Sequence, residues 1–158
     1  MYFWRIEALK RQMITAPLGD RETLPYLIGH GVLTSVVFAF PPMFPNGWDT
    51  LQGLVGVPLA IGGTIWVYRQ NGGQTGSELL PRYLTLSWVL LVRFVPLISA
   101  LFIIATVAIP SFDLEHTGPV SVILSAGTIL LFYQRLGAHL RHVSQAVARS
   151  RSVVACDS

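Results

Sequence analysis

The residues of this chain that could do chemistry inside a membrane are one histidine, one arginine and three hydroxyl-bearing side chains. His30 lies between two glycines in an apolar segment, and Arg93 lies inside another apolar run. An arginine at the centre of a bilayer costs at least about 2.5 kcal/mol, so it usually marks a pathway or a buried partner. Because these side chains fall at a similar predicted depth, they form a candidate intramembrane polar site: His30, Arg93, Thr64, Tyr68 and Tyr133.

The absence of acidic residues from the apolar runs limits what this site could do. Proton relays across membranes usually include a carboxylate. His30 could instead be a hydrogen-bonding contact between helices, and Arg93 could reach the headgroups from the first turn of a span. The apolar runs contain neither a nucleophile beside a base nor an acid paired with a base, so we expect no enzymatic activity and assign no catalytic residue.

The sequence also gives only weak evidence for a metal or cofactor site. One loop contains two carboxylates and an imidazole that could bind a divalent ion, and Asp49 could be a further ligand. Water can hydrate these side chains without a metal, so they are weak evidence for a metal site. Those loop residues are Asp113, Glu115 and His116. The single cysteine, Cys156, excludes a disulfide within the chain and a thiolate cluster. We therefore predict no metal and no cofactor.

The elements that must position these residues are membrane helices. Of the 158 residues, 52% are hydrophobic and only 12% are charged, whereas roughly a quarter are charged in a soluble domain. A helix needs about 20 mainly apolar residues to cross a bilayer. The chain accordingly reads as one transmembrane domain, residues 1–158, with four predicted spans at about 24–40, 50–68, 88–109 and 120–136.

The basic residues predict the orientation of these spans. All 11 Lys and Arg residues except Arg93 lie in stretches that alternate with stretches containing none. The basic stretches are 1–23, 69–82 and 135–158, and the others are 41–49 and 110–119. Cationic loops stay on the cytoplasmic side of a membrane. We therefore predict an all-α four-helix bundle with both termini in the cytoplasm, and we assign the basic residues to orientation and lipid contact, with no nucleic-acid partner.

Two helical segments are predicted outside the spans. Residues 2–14 place Phe3, Ile6, Leu9 and Met13 at helical spacing, which is typical of an amphipathic helix lying in the membrane interface. At the other end, span four is expected to continue as a helix into a cytoplasmic tail, residues 137–158.

The length of span three bears on the depth of Arg93. A helix over residues 83–109 would reach about 40 Å, which is longer than a ~30 Å hydrocarbon core. A span of ordinary length that ends at Ile109 begins near residue 88, so residues 78–92 become a lead-in helix on the cytoplasmic side. Arg93 then lies near the inner headgroups.

Span two carries a stripe of small residues. Such a stripe lets helix backbones approach closely in lipid, so we predict span two to be the central packing helix. The stripe consists of Gly53, Gly56, Ala60 and Gly63.

Two segments resemble a family of small four-span bacterial inner-membrane proteins of uncharacterised activity. They are Phe3-Trp4-Arg5-Ile6-Glu7-x-x-Lys10, and Asn71-Gly72-Gly73 followed by Glu78-Leu79-Leu80-x-Arg82-Tyr83-x-x-Leu86-Ser87-Trp88-Val89-x-x-x-Arg93. The resemblance implies a multi-pass protein of the bacterial plasma membrane and implies no activity.

Two functional hypotheses remain open at this point. The first is a non-enzymatic assembly or accessory subunit, which packs through small-residue helix faces against itself or another membrane protein. The alternative is a small transporter or channel component with a polar site near His30 and Arg93. Both place the protein in contact with the lipid bilayer.

Overall fold

The computed structural model of the chain describes residues 6–15, 20–39, 46–73, 78–109 and 118–156. It is built from helices throughout these ranges. The five helices are α1 (Ile6–Thr15), α2 (Asp20–Ala39), α3 (Gly47–Gln70), α4 (Leu79–Ala108) and α5 (Pro119–Cys156). The predicted all-helical class is confirmed.

Three of the helices are long and apolar enough to cross a membrane, and they are α3, α4 and the Pro119–Ser150 part of α5. Helix α2 is 20 residues long and is not among them. The first of the four predicted spans therefore stays a prediction, and so does the orientation of the termini that depends on it.

Helix α3 begins at a reciprocal cap formed by two polar side chains. The Asn46 side-chain oxygen accepts a hydrogen bond from the backbone N–H of Trp48 at 2.9 Å, and Asp49 accepts one from the Asn46 N–H at 2.6 Å. This arrangement satisfies backbone donors that a helix start leaves unpaired. Asp49, considered above as a metal ligand, thus has a structural task in the helix cap.

The helices do not pack in chain order. Helix α3 runs along α5, α2 packs on α4, and α4 packs on α5. The contacts between α3 and α5 advance together along both helices, from Gly56 against Ile129 to Trp66 against Gly137, so the two helices are parallel. Helices α4 and α5 each contact three other helices, whereas α3, the predicted central packing helix, packs mainly on α5.

The hydrophobic core lies at one end of the bundle, where α4 begins and α3 ends. We call this the basic end, because Lys10, Arg69, Arg82 and Arg141 belong to it. Its buried apolar residues come from all five helices: Ile6, Leu9, Met13, Tyr26, Val67, Leu86, Val89, Leu90, Leu136, Leu140 and Val143. The most tightly packed part of the protein is therefore assembled around the start of α4 and the second half of α5.

Helix α1 contributes its apolar face to this core. Ile6, Leu9 and Met13 are buried, and the helix packs against α4 and α5. The apolar face of α1 is therefore covered by the protein itself, and the location of this helix in the membrane interface stays a prediction. Phe3, the remaining member of the predicted stripe, lies outside the described residues.

Helices α4 and α5 are longer than a bilayer core. Their 30 and 38 residues correspond to about 45 Å and about 57 Å at 1.5 Å per residue, against a ~30 Å hydrocarbon thickness. Part of each helix must therefore lie outside the hydrocarbon region. The sequence predicts that these parts are the start of α4 and the second half of α5, which carry the core.

Candidate functional site

His30 is held against α4 by two hydrogen bonds. Its Nε2 lies 3.2 Å from the Leu84 carbonyl oxygen and 3.0 Å from Ser87 Oγ. A carbonyl can only accept, and the Ser87 hydroxyl donates its own proton to the Leu84 carbonyl at 3.2 Å. The arrangement therefore favours a proton on Nε2 that His30 donates to both oxygens. That proton is engaged in a contact between two helices.

Trp88 completes this contact between α2 and α4. Its ring lies edge-on to His30 at a centroid distance of 5.5 Å. A Cβ on Gly29 would come within 2.8 Å of the same indole ring, which is too close for a side chain. Gly29 is thus the residue that lets α2 approach α4, and it gives the histidine its position.

Two other members of the predicted polar site meet between α3 and α5. The Thr64 and Tyr133 hydroxyl oxygens lie 3.4 Å apart, and the Tyr83 side chain is close enough to interact with both. Thr64 also donates to the Ala60 carbonyl at 2.8 Å, within its own helix. These three side chains belong to α3, α4 and α5. Tyr83 was not among the residues predicted for the polar site.

Arg93 lies among cations of the basic end. It is exposed, and it is close enough to His139 of α5 to act on that side chain electrostatically. Tyr68 is 38% exposed and lies near the Gly73 turn. The structure thus places His30 in contact with α4 and pairs Thr64 with Tyr133, while Arg93 acts electrostatically on His139.

The small-residue stripe of α3 is used inside the protein. Gly63 packs directly under the ring of Tyr133, and a Cβ on Gly56 would lie 3.8 Å from Ile129. Ala60, between them on the same face, is half-buried. Gly53 has nothing within 4 Å of its Cβ position. The contact with α5 thus involves the second part of the stripe.

A second contact of an aromatic ring on a glycine joins the same two helices, with the ring on α3 and the glycine on α5. It was not predicted from the sequence. Trp66 of α3 packs against Gly137 of α5. Together with Tyr133 on Gly63, this gives each helix one aromatic ring over a glycine of the other. The available signal was a glycine on α5 four residues after a tyrosine, and it is weak without knowing that α3 and α5 are neighbours.

An ion pair between a buried arginine and a partly exposed glutamate lies at the start of α4. Arg82 is only 3% exposed, and its guanidinium donates to the Glu78 carboxylate at 3.2 Å. Glu78 occupies the N-cap position with a left-handed backbone, φ 56°. A carboxylate is favourable there because the first turn of a helix carries partial positive charge. The pair neutralises a cation inside the core.

The charges that face α5 from α1 affect two titratable groups of the basic end. Burial, helped by Lys10, Arg135 and Arg93, lowers the pKa of His139 to about 4, although Glu7 opposes the shift. The pKa of Glu7 itself is lowered, mainly because Lys10 donates a hydrogen bond to it at 2.8 Å. His139 is therefore neutral at pH 7 among several cations.

Within the described ranges no group of three or more His, Cys, Asp or Glu residues is arranged to hold a metal ion. The loop residues Asp113, Glu115 and His116 lie outside those ranges. The described contacts between helices are hydrogen bonds and aromatic rings packed on glycines. In comparisons with known proteins, the chain matches no family model, no curated protein and no solved structure.

Proposed function

We propose that this chain is a non-enzymatic integral membrane protein that acts as an assembly or accessory subunit, packing against itself or another membrane protein. The proposal depends on the uneven packing of α4. Its first half is buried at six of the nine positions from Arg82 to Leu90. Its second half is exposed at Leu97, Ile103 and Val107, to 64%, 60% and 84%.

At about 100° per residue these three fall on one side of the helix. Val95 and Leu101, which are also exposed, extend the exposed surface to most of the circumference, and Ala105 is the buried position of this half. Membrane helices are held by close packing and interhelical hydrogen bonds, since lipid tails are as apolar as leucine. The second half of α4 therefore has little holding it within this chain. Contact with helices of a second copy or of another membrane protein would supply the missing packing.

The proposed location is the bacterial inner membrane, with four spans and both termini in the cytoplasm. The alternation of basic stretches supports this orientation. The resemblance to small bacterial inner-membrane proteins supports the location in that membrane. For the first span, α2 has 20 residues, which is about 30 Å of helix. Its apolar residues Leu24, Leu27, Ile28 and Val32 are all more than half exposed, as suits a helix in lipid.

The alternative, a transporter or channel component, draws less support from the geometry. Its predicted path needs His30 and Arg93 to share one site. His30 is hydrogen-bonded to Ser87 and the Leu84 carbonyl, and Arg93 acts electrostatically on His139. The hydrogen bonds of His30 therefore join two helices and do not mark a path.

Photo-crosslinking in native membranes tests the assembly proposal. A photoreactive residue at Ile104, which is 61% exposed, should yield a protein adduct of defined mass, either a dimer or a complex with one membrane protein. The same residue at Leu90, which is 5% exposed, is the control and should crosslink only within the chain. Adducts with lipid alone at Ile104 would contradict the proposal.

Cysteine labelling tests the topology separately. In a Cys156→Ser background, Asn46→Cys and His116→Cys should react with a membrane-impermeant reagent added outside, while Arg11→Cys should not. Reaction at 46 and 11 from the same side would show that α2 does not cross. A cytoplasmic location for both 46 and 116 would overturn the proposed orientation.

A further inference from the structure

An open groove of about 460 Å³ lies between α3 and α5. From α3 it is lined by Pro58, Gly62 and Trp66, and from α5 by Leu130, Tyr133 and Gln134. Gly62, Trp66, Leu130 and Gln134 are exposed, so the groove opens sideways to the surroundings of the bundle. It is mainly apolar and runs along two helices that can cross a membrane.

The helix faces that line the groove continue toward the basic end. On α3, Pro58, Gly62, Trp66 and Arg69 follow one another at intervals of four, four and three residues. This is the spacing of side chains on one helix face. The face that forms the groove wall therefore carries Arg69 one turn beyond Trp66.

The facing wall shows the same pattern. On α5, Leu130, Gln134, Gly137 and Arg141 follow at intervals of four, three and four residues. Gly137 is in contact with Trp66 across the interface. The groove face of α5 thus carries Arg141 one turn beyond that contact.

The register of the two helices brings these arginines to the same level. Trp66 packs on Gly137, and Ser144 Oγ donates to the Asn71 carbonyl at 3.1 Å. Arg69 and Arg141 both fall between these two contacts, on parallel helices. Both are exposed, and among the described residues neither forms an ion pair with an acidic side chain.

We infer that this groove binds an anionic glycerophospholipid, with an acyl chain along the apolar walls and the phosphate held by Arg69 and Arg141. Guanidinium groups suit a phosphate because they donate parallel hydrogen bonds to its oxygens. Two cations at the same level, at the end of an apolar groove, match an anion attached to a hydrocarbon chain. Basic pockets between membrane helices bind anionic lipids in this way.

The experiment is native mass spectrometry of the full chain, taken from nanodiscs that contain equal parts of phosphatidylglycerol and phosphatidylcholine. The wild-type protein should retain phosphatidylglycerol in preference to phosphatidylcholine. Replacing both arginines, Arg69→Gln with Arg141→Gln, should reduce that preference about thirtyfold, from about 1 kcal/mol for each cation. A matched double variant, Arg11→Gln with Arg135→Gln, removes the same charge from exposed positions and should keep the preference.

Two further arms separate the lipid from its headgroup. Gly62→Leu fills the groove and should lower retention of both lipids, with circular dichroism confirming that the protein is folded. Inorganic phosphate added in millimolar excess should not displace the lipid. The inference is overturned if the Arg69 and Arg141 variant keeps the wild-type preference. It is equally overturned if a folded Gly62→Leu protein retains lipid as before, or if phosphate alone displaces it.

Discussion

The ring of Tyr133 on α5 lies directly against the backbone of Gly63 on α3, so closely that a Cβ on that glycine would overlap the ring. Trp66 and Gly137 form the reciprocal contact between the same two helices. Each ring occupies space that only a glycine leaves open. This pair of contacts explains how α3 and α5 approach closely in a medium where apolar burial does not drive helices together.

Gly63→Ala should destabilise the protein. The new methyl group would occupy the position of the Tyr133 ring, so the helices must separate or the ring must move, at a cost of about 1 to 3 kcal/mol. The free energy of unfolding in mild detergent, followed by circular dichroism, measures this cost.

Gly62→Ala is the matched control, because it adds the same methyl group to the adjacent residue. Nothing lies within 4 Å of that Cβ position. The change should be neutral or should stabilise the helix by up to about 1 kcal/mol, the difference in propensity between alanine and glycine. Equal effects of the two substitutions would contradict the described contact between α3 and α5.

Glu78→Gln should weaken the core at the start of α4. Arg82 is 3% exposed and pairs with Glu78 at 3.2 Å, so removing the carboxylate leaves a buried cation without its charge partner. A loss of about 1 to 3 kcal/mol in the free energy of unfolding is expected.

A second variant separates the pairing from the helix cap. Breaking one side of a buried pair is more costly than replacing both partners with residues that pack well. Glu78→Gln combined with Arg82→Leu should therefore recover most of the stability that Glu78→Gln loses. A double variant no more stable than the single one would show that the ion pair is not the cause.

His30 and Ser87 should show a measurable coupling energy. Their side chains lie 3.0 Å apart, and hydrogen bonds between membrane helices contribute about 0.6 kcal/mol on average, with a maximum near 1.7. A double-mutant cycle with His30→Ala and Ser87→Ala, measured by unfolding in detergent micelles, tests this. Strictly additive effects would mean that the hydrogen bond does not hold α2 to α4.

Acid should destabilise the basic end through His139. Burial and the nearby cations lower the pKa of this side chain from 6.5 to about 4. The unfolded chain therefore takes up a proton before the folded chain does, and stability falls as the pH drops from 6.5 toward 4. Thermal unfolding of the protein in detergent across this range should show a decreasing midpoint.

His139→Gln should flatten that pH profile, because its side chain has no proton to gain. His142→Gln is the control, since it leaves His139 in place and should keep the acid sensitivity that His139 causes. If His139→Gln retains the full wild-type slope, the sensitivity comes from another group.

The limits of the sequence are clearest at α1 and at the glycine stripe. The spacing of Ile6, Leu9 and Met13 correctly indicates a helix with one apolar face. Spacing alone cannot distinguish a face covered by lipid from a face covered by protein, because both are apolar surroundings. The stripe from Gly56 to Gly63 likewise indicates close approach of a helix, but not which helix approaches.

The candidate polar site shows the same limit of the sequence. His30 and Arg93 have similar predicted depths, but depth is one coordinate only. Whether two side chains meet also depends on the rotation of each helix and on which helices are neighbours. Ser87 and Trp88, which do contact His30, could not be paired with it from the sequence, because Ser87 is 57 residues away along the chain.

The sequence by itself determined the helical class and three helices that can cross a membrane, because length and hydropathy are properties of each segment alone. The tertiary structure decided which helices pair, that α3 lies parallel to α5, and that the core gathers at the basic end. These features depend on contacts between distant segments. A ring such as that of Tyr133 finds its space only where another helix presents a glycine.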